Sequence, residues 1–361
     1  MMIEPCGRGG VCHYTYHLCN ALAERADITL ITSKNYELDG LRRDFKIKKT
    51  FNAIHIFDVV GVFRQLIKEH ADIIHFQMLK APLIDWAFIR SLKLLGLNLV
   101  YTAHNVIPHE QRFYTKSLFS NIYSMMDGII AHTKNDEREL RRAFDLSKPK
   151  VCVVPHGSYL FFGDEAISKE EAMKTLGIPS DFKTVLFFGY ISEDKGLKYL
   201  IEAFAGVAKK VPCKLVIAGE PVEDSSTYES LISKLGISHD VILDLGYIPL
   251  DMVGCYFTSA DVVVLPYAKP YHDVMAQVAH AFGKPAVVTG QSGIVEDERS
   301  GYIVKPKSSD ELEKAIVKIL SDDETRRKMG RRAKRIADAN SWDKVAKRTM
   351  RLYDSILSGC E

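Results

Sequence analysis

Short runs of β-branched and apolar residues alternate with amphipathic stretches along nearly the whole chain, and this alternation limits the possible folds more than any other feature. Runs of about four to seven apolar residues are typical of strands buried on both faces of a parallel sheet. The stretches between them have helical periodicity, as expected when helices cover both faces. The ten predicted strands are residues 27–32, 71–77, 97–105, 128–133, 150–157, 184–191, 214–220, 241–248, 261–267 and 285–290.

The strands form two series, separated by the polar, turn-rich residues 158–183. A chain of 361 residues is long enough for two domains of ordinary size. We therefore predict an α/β protein with two Rossmann-like domains and a boundary near residue 157. Open α/β sheets bind ligands at the carboxyl ends of their strands, so the loops that follow the strands are where chemistry is expected.

Composition excludes several classes of function. Hydrophobic residues make up 47% of the chain and charged residues 26%, which excludes a disordered protein. The 48 Lys and Arg nearly balance the 46 Asp and Glu, which argues against a nucleic-acid partner. Within residues 1–150, however, there are 21 basic and 16 acidic residues. No stretch suits a membrane span or a signal peptide, which predicts a cytoplasmic protein.

Metal and disulfide signatures are missing from the sequence. The seven Cys are scattered with no C-x-x-C, so neither a disulfide framework nor a zinc site is indicated. No H-E-x-x-H and no D-x-D occurs either. The sequence therefore predicts no metal site.

A glycine-rich turn lies near the start of the chain. Gly9 and Gly10 precede a helical pattern, and backbone N–H groups at such a turn can approach an anion at the helix N-terminus. A plain tight turn explains the glycines equally well. The strand before the turn is short, only Met1 to Pro5.

Histidines are concentrated in the first half of the chain, where His75, His104, His109, His132 and His156 include several at strand ends. His104 follows the apolar run LVYTA, so we expect it at the carboxyl end of a buried strand, close to bound substrate. The alternative is a structural histidine that holds a loop.

Lys195 lies in the loop between the strand VLFFGYI and the helix LKYLIEAF. A lysine beside a helix N-terminus can neutralise a phosphate. The neighbouring Glu193 and Asp194 argue against an anion site unless they turn away, and a solvated loop lysine is the alternative.

The co-linear order of these motifs resembles that of the family 4 retaining glycosyltransferases of the GT-B fold. The motifs are G-x-G-G, HFQ, TAHN, VVPHG, FFGY followed by DKGLKYLIEAF, LVIAGE, LGYI, SADVVVLPY, G-K-P-x-V-V-T, G-x-V-E, S-G-Y-I-V and SWDKVA. The resemblance implies an acceptor-side domain over residues 1–157 and a nucleotide-sugar donor domain over 158–340, facing each other across a cleft. It also implies that a C-terminal helix, within residues 341–361, packs back on the first domain.

The resemblance also implies roles for individual residues. Gly9 and Gly10 would approach the donor phosphate or the acceptor, His104 would lie near the reacting carbon, and Lys195 would grip the diphosphate. The other residues it places at the donor are Gly189, Tyr190, Tyr247, Ile248, Val274, Met275 and Glu296.

The sequence departs from the family pattern in the donor domain. Both glutamates of the E-x7-E motif are missing, since Pro270 and Val278 occupy their positions. Tyr190 replaces the family's usual arginine. Asp273 is the candidate for accepting sugar hydroxyls, although a carboxylate there would repel a diphosphate. Glu296 is the family-matching acid that remains.

The function implied is that of a retaining hexosyltransferase of the EC 2.4 class. It would move a hexose from a nucleoside-diphosphate sugar to a hydroxyl of a glycan, glycolipid or lipid-linked acceptor. No metal or other cofactor is expected, because Lys195 and helix N-termini can stabilise the leaving phosphate. The missing glutamates favour an alternative, a catalytically weak nucleotide-sugar-binding subunit that supports another transferase. A nucleotide-sugar epimerase is a third interpretation.

The basic N-terminal half predicts a peripheral contact with an anionic membrane. Residues 109–126 interleave Arg112 and Lys116 with aromatic side chains, including Phe119 and Tyr123, as interfacial segments do. A core-facing helix with a solvated basic edge is the alternative.

Overall fold

The computed structural model describes residues 1–52, 56–104, 115–158, 167–269, 274–290 and 292–359. The chain divides into two compact units. Unit 1 comprises Met1–Gly157 and Asn340–Glu361, and unit 2 comprises Ser158–Ala339. Each unit is built around one parallel sheet.

Unit 1 contains seven strands and six helices among the described residues. Its strands are β1 (Met2–Glu4), β2 (Thr29–Ser33), β3 (Lys46–Phe51), β4 (Ile73–Phe76), β5 (Asn98–Thr102), β6 (Gly128–Ala131) and β7 (Lys150–Val153). Its helices are α1 (Gly10–Ala23), α2 (Ile56–Lys68), α3 (Pro82–Leu94), α4 (Thr115–Ser124), α5 (Lys134–Ala143) and, at the C-terminus, α13 (Trp342–Leu357). The strand order is β3-β2-β1-β4-β5-β6-β7.

Unit 2 contains six strands in the order β10-β9-β8-β11-β12-β13. They are β8 (Lys183–Phe188), β9 (Cys213–Gly219), β10 (Val241–Leu245), β11 (Val262–Leu265), β12 (Ala286–Thr289) and β13 (Gly301–Val304). The helices are α6 (Lys169–Thr175), α7 (Leu197–Val207), α8 (Ser226–Lys234), α9 (Leu250–Ser259), α10 (Val274–Ala281), α11 (Ser309–Ser321) and α12 (Asp323–Ala339).

The ten predicted strands all form, because their apolar side chains fill the cores on both faces of the two sheets. The sequence analysis missed β3 and β13. Strand β3 lies at the edge of its sheet and is half exposed, and its sequence KIKKTF contains three lysines. Lysines on an edge strand discourage pairing with other chains and weaken the apolar pattern.

The C-terminal helix α13 packs on unit 1 against α1 and β6. Gly157 lies so close to the Trp342 ring that a Cβ there would approach it to 2.4 Å. The Lys150 ammonium donates a hydrogen bond to the Ser355 carbonyl at 2.9 Å. These contacts bring the last helix back to the unit that contains the N-terminus.

Each sheet contains one pair of neighbouring strands after which the chain continues toward opposite edges of the sheet. In unit 1 the pair is β1 and β4, and in unit 2 it is β8 and β11. The loops at the carboxyl ends of such strand pairs diverge and leave a crevice that commonly holds a ligand. The two glycine-rich turns that follow β1 and β8 lie at these two places.

The membrane segment predicted at 109–126 is not supported where the structure describes it. Phe119 and Tyr123 are buried in the core of unit 1, since their spacing of four places both on the inner face of α4. The core-facing alternative holds for these two aromatic residues. Lys116 is exposed, and Arg112 lies outside the described residues. Among the described residues, no helix is both long and apolar enough to cross a membrane.

Candidate functional site

Lys195 occupies the crevice of unit 2. It ends a single 3-10 turn, Glu193–Lys195, which joins β8 to α7. Its Nζ lies over the ring of Tyr267, 4.3 Å from the ring centroid. Tyr267 follows β11, so the pair bridges the two strands that flank the crevice. Sequence analysis missed Tyr267, although its position at the end of the run VVVLPY marks a strand end.

Close backbone packing shapes this turn. Gly196 has a left-handed φ of 68°, and a Cβ there would approach the Pro266 carbonyl oxygen to 2.1 Å. A Cβ on Gly219, at the end of β9, would approach the Gly189 carbonyl oxygen to 1.9 Å. Only glycine fits at either position. The β8–α7 turn is therefore held tightly against its neighbouring strands.

The Lys195 ammonium is a positive charge in a partly desolvated position. Burial lowers its pKa, and the nearby Asp194 carboxylate opposes that shift. Asp194 also accepts a hydrogen bond from the Ser192 hydroxyl at 2.5 Å. A cation held over an aromatic ring and shielded from water attracts an anion more strongly than a solvated lysine does.

The other predicted donor residues at this edge include two exposed aromatic rings. Tyr190 and Tyr247 are 49% and 58% exposed, and they follow β8 and β10. Gly189 donates a backbone hydrogen bond to the Ala218 carbonyl, while Ile248 packs partly against the core. Both tyrosines therefore present large ring surfaces at the carboxyl edge of the sheet, where a planar base can stack.

The start of α10 is only partly described. Val274 and Met275 begin the helix and pack against the core of unit 2, and Val278 is buried. The predicted sugar-binding Asp273, and Pro270 at the first glutamate position, lie outside the described residues.

Glu296 forms an ion pair with Arg332, which the sequence analysis did not single out. The Arg332 guanidinium donates two hydrogen bonds to its carboxylate, at 2.6 and 2.5 Å. These bonds lower the pKa of Glu296. A sugar or ribose hydroxyl that used this carboxylate would share it with Arg332.

The glycine-rich turn of unit 1 already donates a hydrogen bond to a carboxylate of the protein. The Gly9 N–H donates to Glu37 Oε1 at 2.7 Å, and His13 Nε2 lies 3.1 Å from the same oxygen. Gly10 is the first residue of α1. An anionic ligand can use the Gly9 N–H only if Glu37 moves away.

His104 lies at the carboxyl end of β5 in a group of three histidines. His132 follows β6 and His156 follows β7, so three neighbouring strands each contribute one imidazole. One ring nitrogen of each lies within 4.8 Å of the others. Spacing rules missed this group because its members come from three separate strand ends.

Both ring nitrogens of His104 have protein partners. Its Nε2 lies 3.1 Å from Gln77 Oε1, and its Nδ1 lies 3.2 Å from His132 Nε2. The ring is half-buried. A sugar hydroxyl can bond to His104 only by replacing one of these two contacts.

His75 has a structural role. It is buried, with ring nitrogens 2.6 Å from the Tyr353 hydroxyl and 2.7 Å from the Thr102 hydroxyl. Burial lowers its pKa to about 3, so it is neutral. His109 lies outside the described residues.

Comparisons with known proteins agree with this architecture. The family model "Glycosyltransferase Family 4" matches residues 8–158, and "Glycosyl transferases group 1" matches residues 168–336. The structure of Anabaena HepE in complex with UDP and glucose is similar over 98% of each chain, with a TM-score of 0.83 and 18% identity.

Two curated relatives match parts of the chain. An uncharacterized glycosyltransferase of Methanocaldococcus jannaschii is 33% identical over 233 residues, 62% of this chain and 59% of that protein. The D-inositol 3-phosphate glycosyltransferase of Corynebacterium urealyticum is 29% identical over 261 residues, 69% of this chain and 60% of that protein. The chain thus spans about three fifths of the length of these relatives. Together with the two family matches and the fold, these similarities show that the chain belongs to the family 4, group 1 glycosyltransferases of the GT-B fold.

Proposed function

We propose that this protein is a retaining glycosyltransferase. It transfers a hexose from a nucleoside-diphosphate sugar to a hydroxyl of a glycan, glycolipid or lipid-linked acceptor. The observation that carries the proposal is the position of the Lys195 ammonium, held 4.3 Å from the Tyr267 ring centroid in the crevice of unit 2. Anabaena HepE, whose fold is similar, has been solved with UDP and with UDP-glucose, which supports a nucleotide-sugar donor.

Lys195 acts on the leaving group. Transfer builds positive charge on the anomeric carbon and negative charge on the departing diphosphate. A preorganised ammonium in a partly desolvated crevice stabilises that negative charge in the transition state. We propose that Tyr190 and Tyr247, which are exposed along the same edge, contact the nucleotide.

His104 positions the reacting sugar. Its Nδ1 accepts a hydrogen bond from a sugar hydroxyl after leaving the contact with His132, while Nε2 keeps Gln77 as its partner. A fixed orientation of the anomeric carbon contributes to rate because the reacting atoms are already placed. Asp273 remains a prediction for a second hydroxyl contact, and Gly9 and Gly10 remain predictions for the donor phosphate or the acceptor.

Retention follows from attack on the same face as the leaving group. The acceptor oxygen bonds to the anomeric carbon as the bond to the phosphate breaks, and the departing phosphate oxygen takes the acceptor proton. This route needs no protein nucleophile and no metal ion, and we propose both features for this protein.

A panel of UDP-, GDP- and ADP-sugars tests the proposal. Calorimetry measures binding, and product analysis by NMR measures transfer and the anomeric configuration. We expect one nucleotide class to bind and to turn over with retained configuration. An inverted product contradicts the mechanism, and absence of binding by every nucleotide contradicts the function.

Two observations favour the second candidate, a catalytically weak nucleotide-sugar-binding subunit. The carboxylate of Glu296 is occupied by Arg332, and Val278 stands buried at a position where the family has a glutamate. Tight binding of a nucleotide sugar with neither transfer nor hydrolysis would identify this function.

We also propose that a lipid-linked acceptor is reached at an anionic membrane surface. Leu94 and Leu95, at the end of α3, are 78% and 54% exposed, and Leu83 at its start is 63% exposed. Exposed leucines on a unit with a basic excess suit an interfacial contact. Sedimentation with anionic liposomes should show binding that Leu94→Ser and high salt both weaken. Binding that neither change affects would contradict the proposal.

A further inference from the structure

Three parallel strand ends place three imidazoles side by side in unit 1. The ring centroids of His104 and His132 are 5.0 Å apart, and those of His132 and His156 are 5.1 Å apart. These distances match the spacing of about 4.8 Å between neighbouring strands. The fold thus sets the spacing of the three rings.

Hydrogen bonds fix the proton positions on two of the rings. The Gln77 side-chain oxygen and the Val154 carbonyl are acceptors, so the N–H groups lie on His104 Nε2 and His132 Nδ1. The nitrogens that face each other at 3.2 Å, His104 Nδ1 and His132 Nε2, are therefore both acceptors in the neutral rings. Two lone pairs at this distance repel each other unless they share a cation, either a proton or a metal ion.

His156 completes the group. Its Nδ1 lies 3.4 Å from the Gly157 carbonyl oxygen, which can only accept, so a proton on Nδ1 would point to that oxygen. A metal-bound histidine typically donates its remaining ring N–H to a carbonyl, carboxylate or water oxygen, which fixes the orientation of the ring. Gln77, Val154 and Gly157 supply these supporting oxygens.

Tyr14 encloses the histidine group on one side. Its ring centroid lies 4.8 Å from that of His104, 5.2 Å from that of His132 and 4.6 Å from that of His156. Tyr14 is fully buried, and its hydroxyl has no hydrogen-bond partner within the described ranges. A buried polar atom without a protein partner is expected beside a bound water or ion.

From this geometry we propose that unit 1 binds one Zn²⁺ ion on His104, His132 and His156. Three imidazoles with a fourth position for water form a common tetrahedral zinc site, in which bonds of about 2.0–2.1 Å place the nitrogens about 3.3 Å apart. The His104 and His132 nitrogens are already 3.2 Å apart, and the ligand nitrogen of His156 lies within 4.8 Å of the other two.

Three imidazole ligands favour transition-metal ions over Mg²⁺ and Ca²⁺. Imidazole suits Zn²⁺, Cu²⁺ and Ni²⁺, whereas Mg²⁺ and Ca²⁺ require oxygen ligands. The ion has no part in the transfer reaction proposed above. It would instead occupy His104 Nδ1, the atom that we assign to a sugar hydroxyl, and therefore inhibit transfer. That consequence rests on the proposed function, whereas the binding itself does not.

Calorimetry of the full-length protein, stripped with EDTA and dialysed, tests the site with ZnCl₂ as the titrant and MgCl₂ as the comparison ion. We expect one Zn²⁺ per chain and no Mg²⁺ at this site. Co²⁺ in place of Zn²⁺ should give the visible absorption of a tetrahedral nitrogen-ligated ion. Failure of the wild-type chain to bind Zn²⁺ overturns the proposal without bearing on the transfer activity.

Variants then locate the ion. His156→Ala should weaken Zn²⁺ binding more than about 100-fold, since it removes one of three protein ligands. His132→Gln, which retains a side-chain amide donor, should have a similar effect and replaces His156→Ala if that variant fails to fold. His70→Asn is the matched control, because His70 is exposed and outside the group. Equal Zn²⁺ affinity in His156→Ala and His70→Asn overturns the proposal.

Inhibition provides a separate readout. If the protein transfers sugar, saturating Zn²⁺ should reduce turnover and His156→Ala should remove that sensitivity. Stoichiometric Zn²⁺ binding with undiminished transfer would leave the metal site in place and contradict the role given to His104. The two proposals can thus fail independently.

Discussion

The turn after β1 in unit 1 and the turn after β8 in unit 2 occupy equivalent places in their sheets but differ in charge. Both follow the strand at which the sheet changes direction, and both have a glycine, Gly9 or Gly196, before the helix. In unit 1 the Gly9 N–H bonds the Glu37 carboxylate. In unit 2 the turn carries the Lys195 ammonium above Tyr267.

The difference teaches that a glycine-rich turn does not define an anion site by itself. The N-terminus of α1 already has a negative partner, whereas the turn before α7 carries the Lys195 ammonium together with the nearby Asp194 carboxylate. This contrast favours unit 2 for the proposed nucleotide binding. In the proposed function, His104 of unit 1 orients the reacting sugar.

The largest effect expected from this division is that of His104→Ala. Turnover should fall about 100-fold, since the reacting sugar loses its orientation. Nucleotide affinity should hold, because it depends on unit 2. Steady-state kinetics and calorimetry measure the two quantities separately.

The outcome that contradicts this role is a fall in melting temperature that parallels the loss of turnover. It would identify His104 as a structural histidine within the histidine group. His104→Asn, which retains a side-chain amide, should preserve more stability than alanine and serves as the comparison.

Lys195→Ala tests unit 2 directly. Loss of one charge-assisted contact costs about 1.5–3 kcal/mol of binding free energy, so nucleoside-diphosphate affinity should fall about tenfold or more. Lys198→Ala is the matched control, since Lys198 is an exposed lysine on the first turn of α7. Equal calorimetric affinities for the two variants would remove Lys195 from the site.

Glu37→Ala tests, in unit 1, the contrast between the two glycine-rich turns. The variant loses the contacts with Gly9 and His13, and the free energy of unfolding should fall by about 1.5–3 kcal/mol. Thermal unfolding should show a decrease of a few degrees. Nucleotide affinity should change less than about twofold.

The control for that experiment is Glu24→Ala, which removes an exposed carboxylate at the other end of α1. A clear rise in nucleotide affinity in Glu37→Ala would contradict the contrast drawn between the two turns. It would show that Glu37 blocks a working anion site at the Gly9 turn.

The smallest effect is expected from removal of metal ions. The proposed mechanism draws its positive charge from Lys195, so EDTA should not lower the turnover of protein that carries no inhibitory Zn²⁺. Activity lost with EDTA and restored by Mg²⁺ or Mn²⁺ would show that the protein ammonium does not suffice.

Much of the fold was predictable, and the site was predictable in part. Short apolar runs predicted ten strands, all of which form, whereas β3 and β13 were missed. For the site, the sequence predicted Lys195 in the loop between a strand and a helix and His104 at the end of a strand, and the structure has them there. The partners of these residues were not predicted, because Tyr267, Gln77 and His132 lie far along the chain from the side chains they contact.

By itself the sequence determined the two parallel sheets, since hydrophobic periodicity is a local property and burial on both faces leaves few other arrangements. It also determined which residues follow the strands. Only the tertiary structure decided what those residues do. In it, Arg332 donates hydrogen bonds to Glu296, and Glu37 accepts a hydrogen bond from the Gly9 N–H. Three histidines from adjacent strand ends lie close together. Such contacts depend on strand order and side-chain direction, which no spacing along the chain encodes.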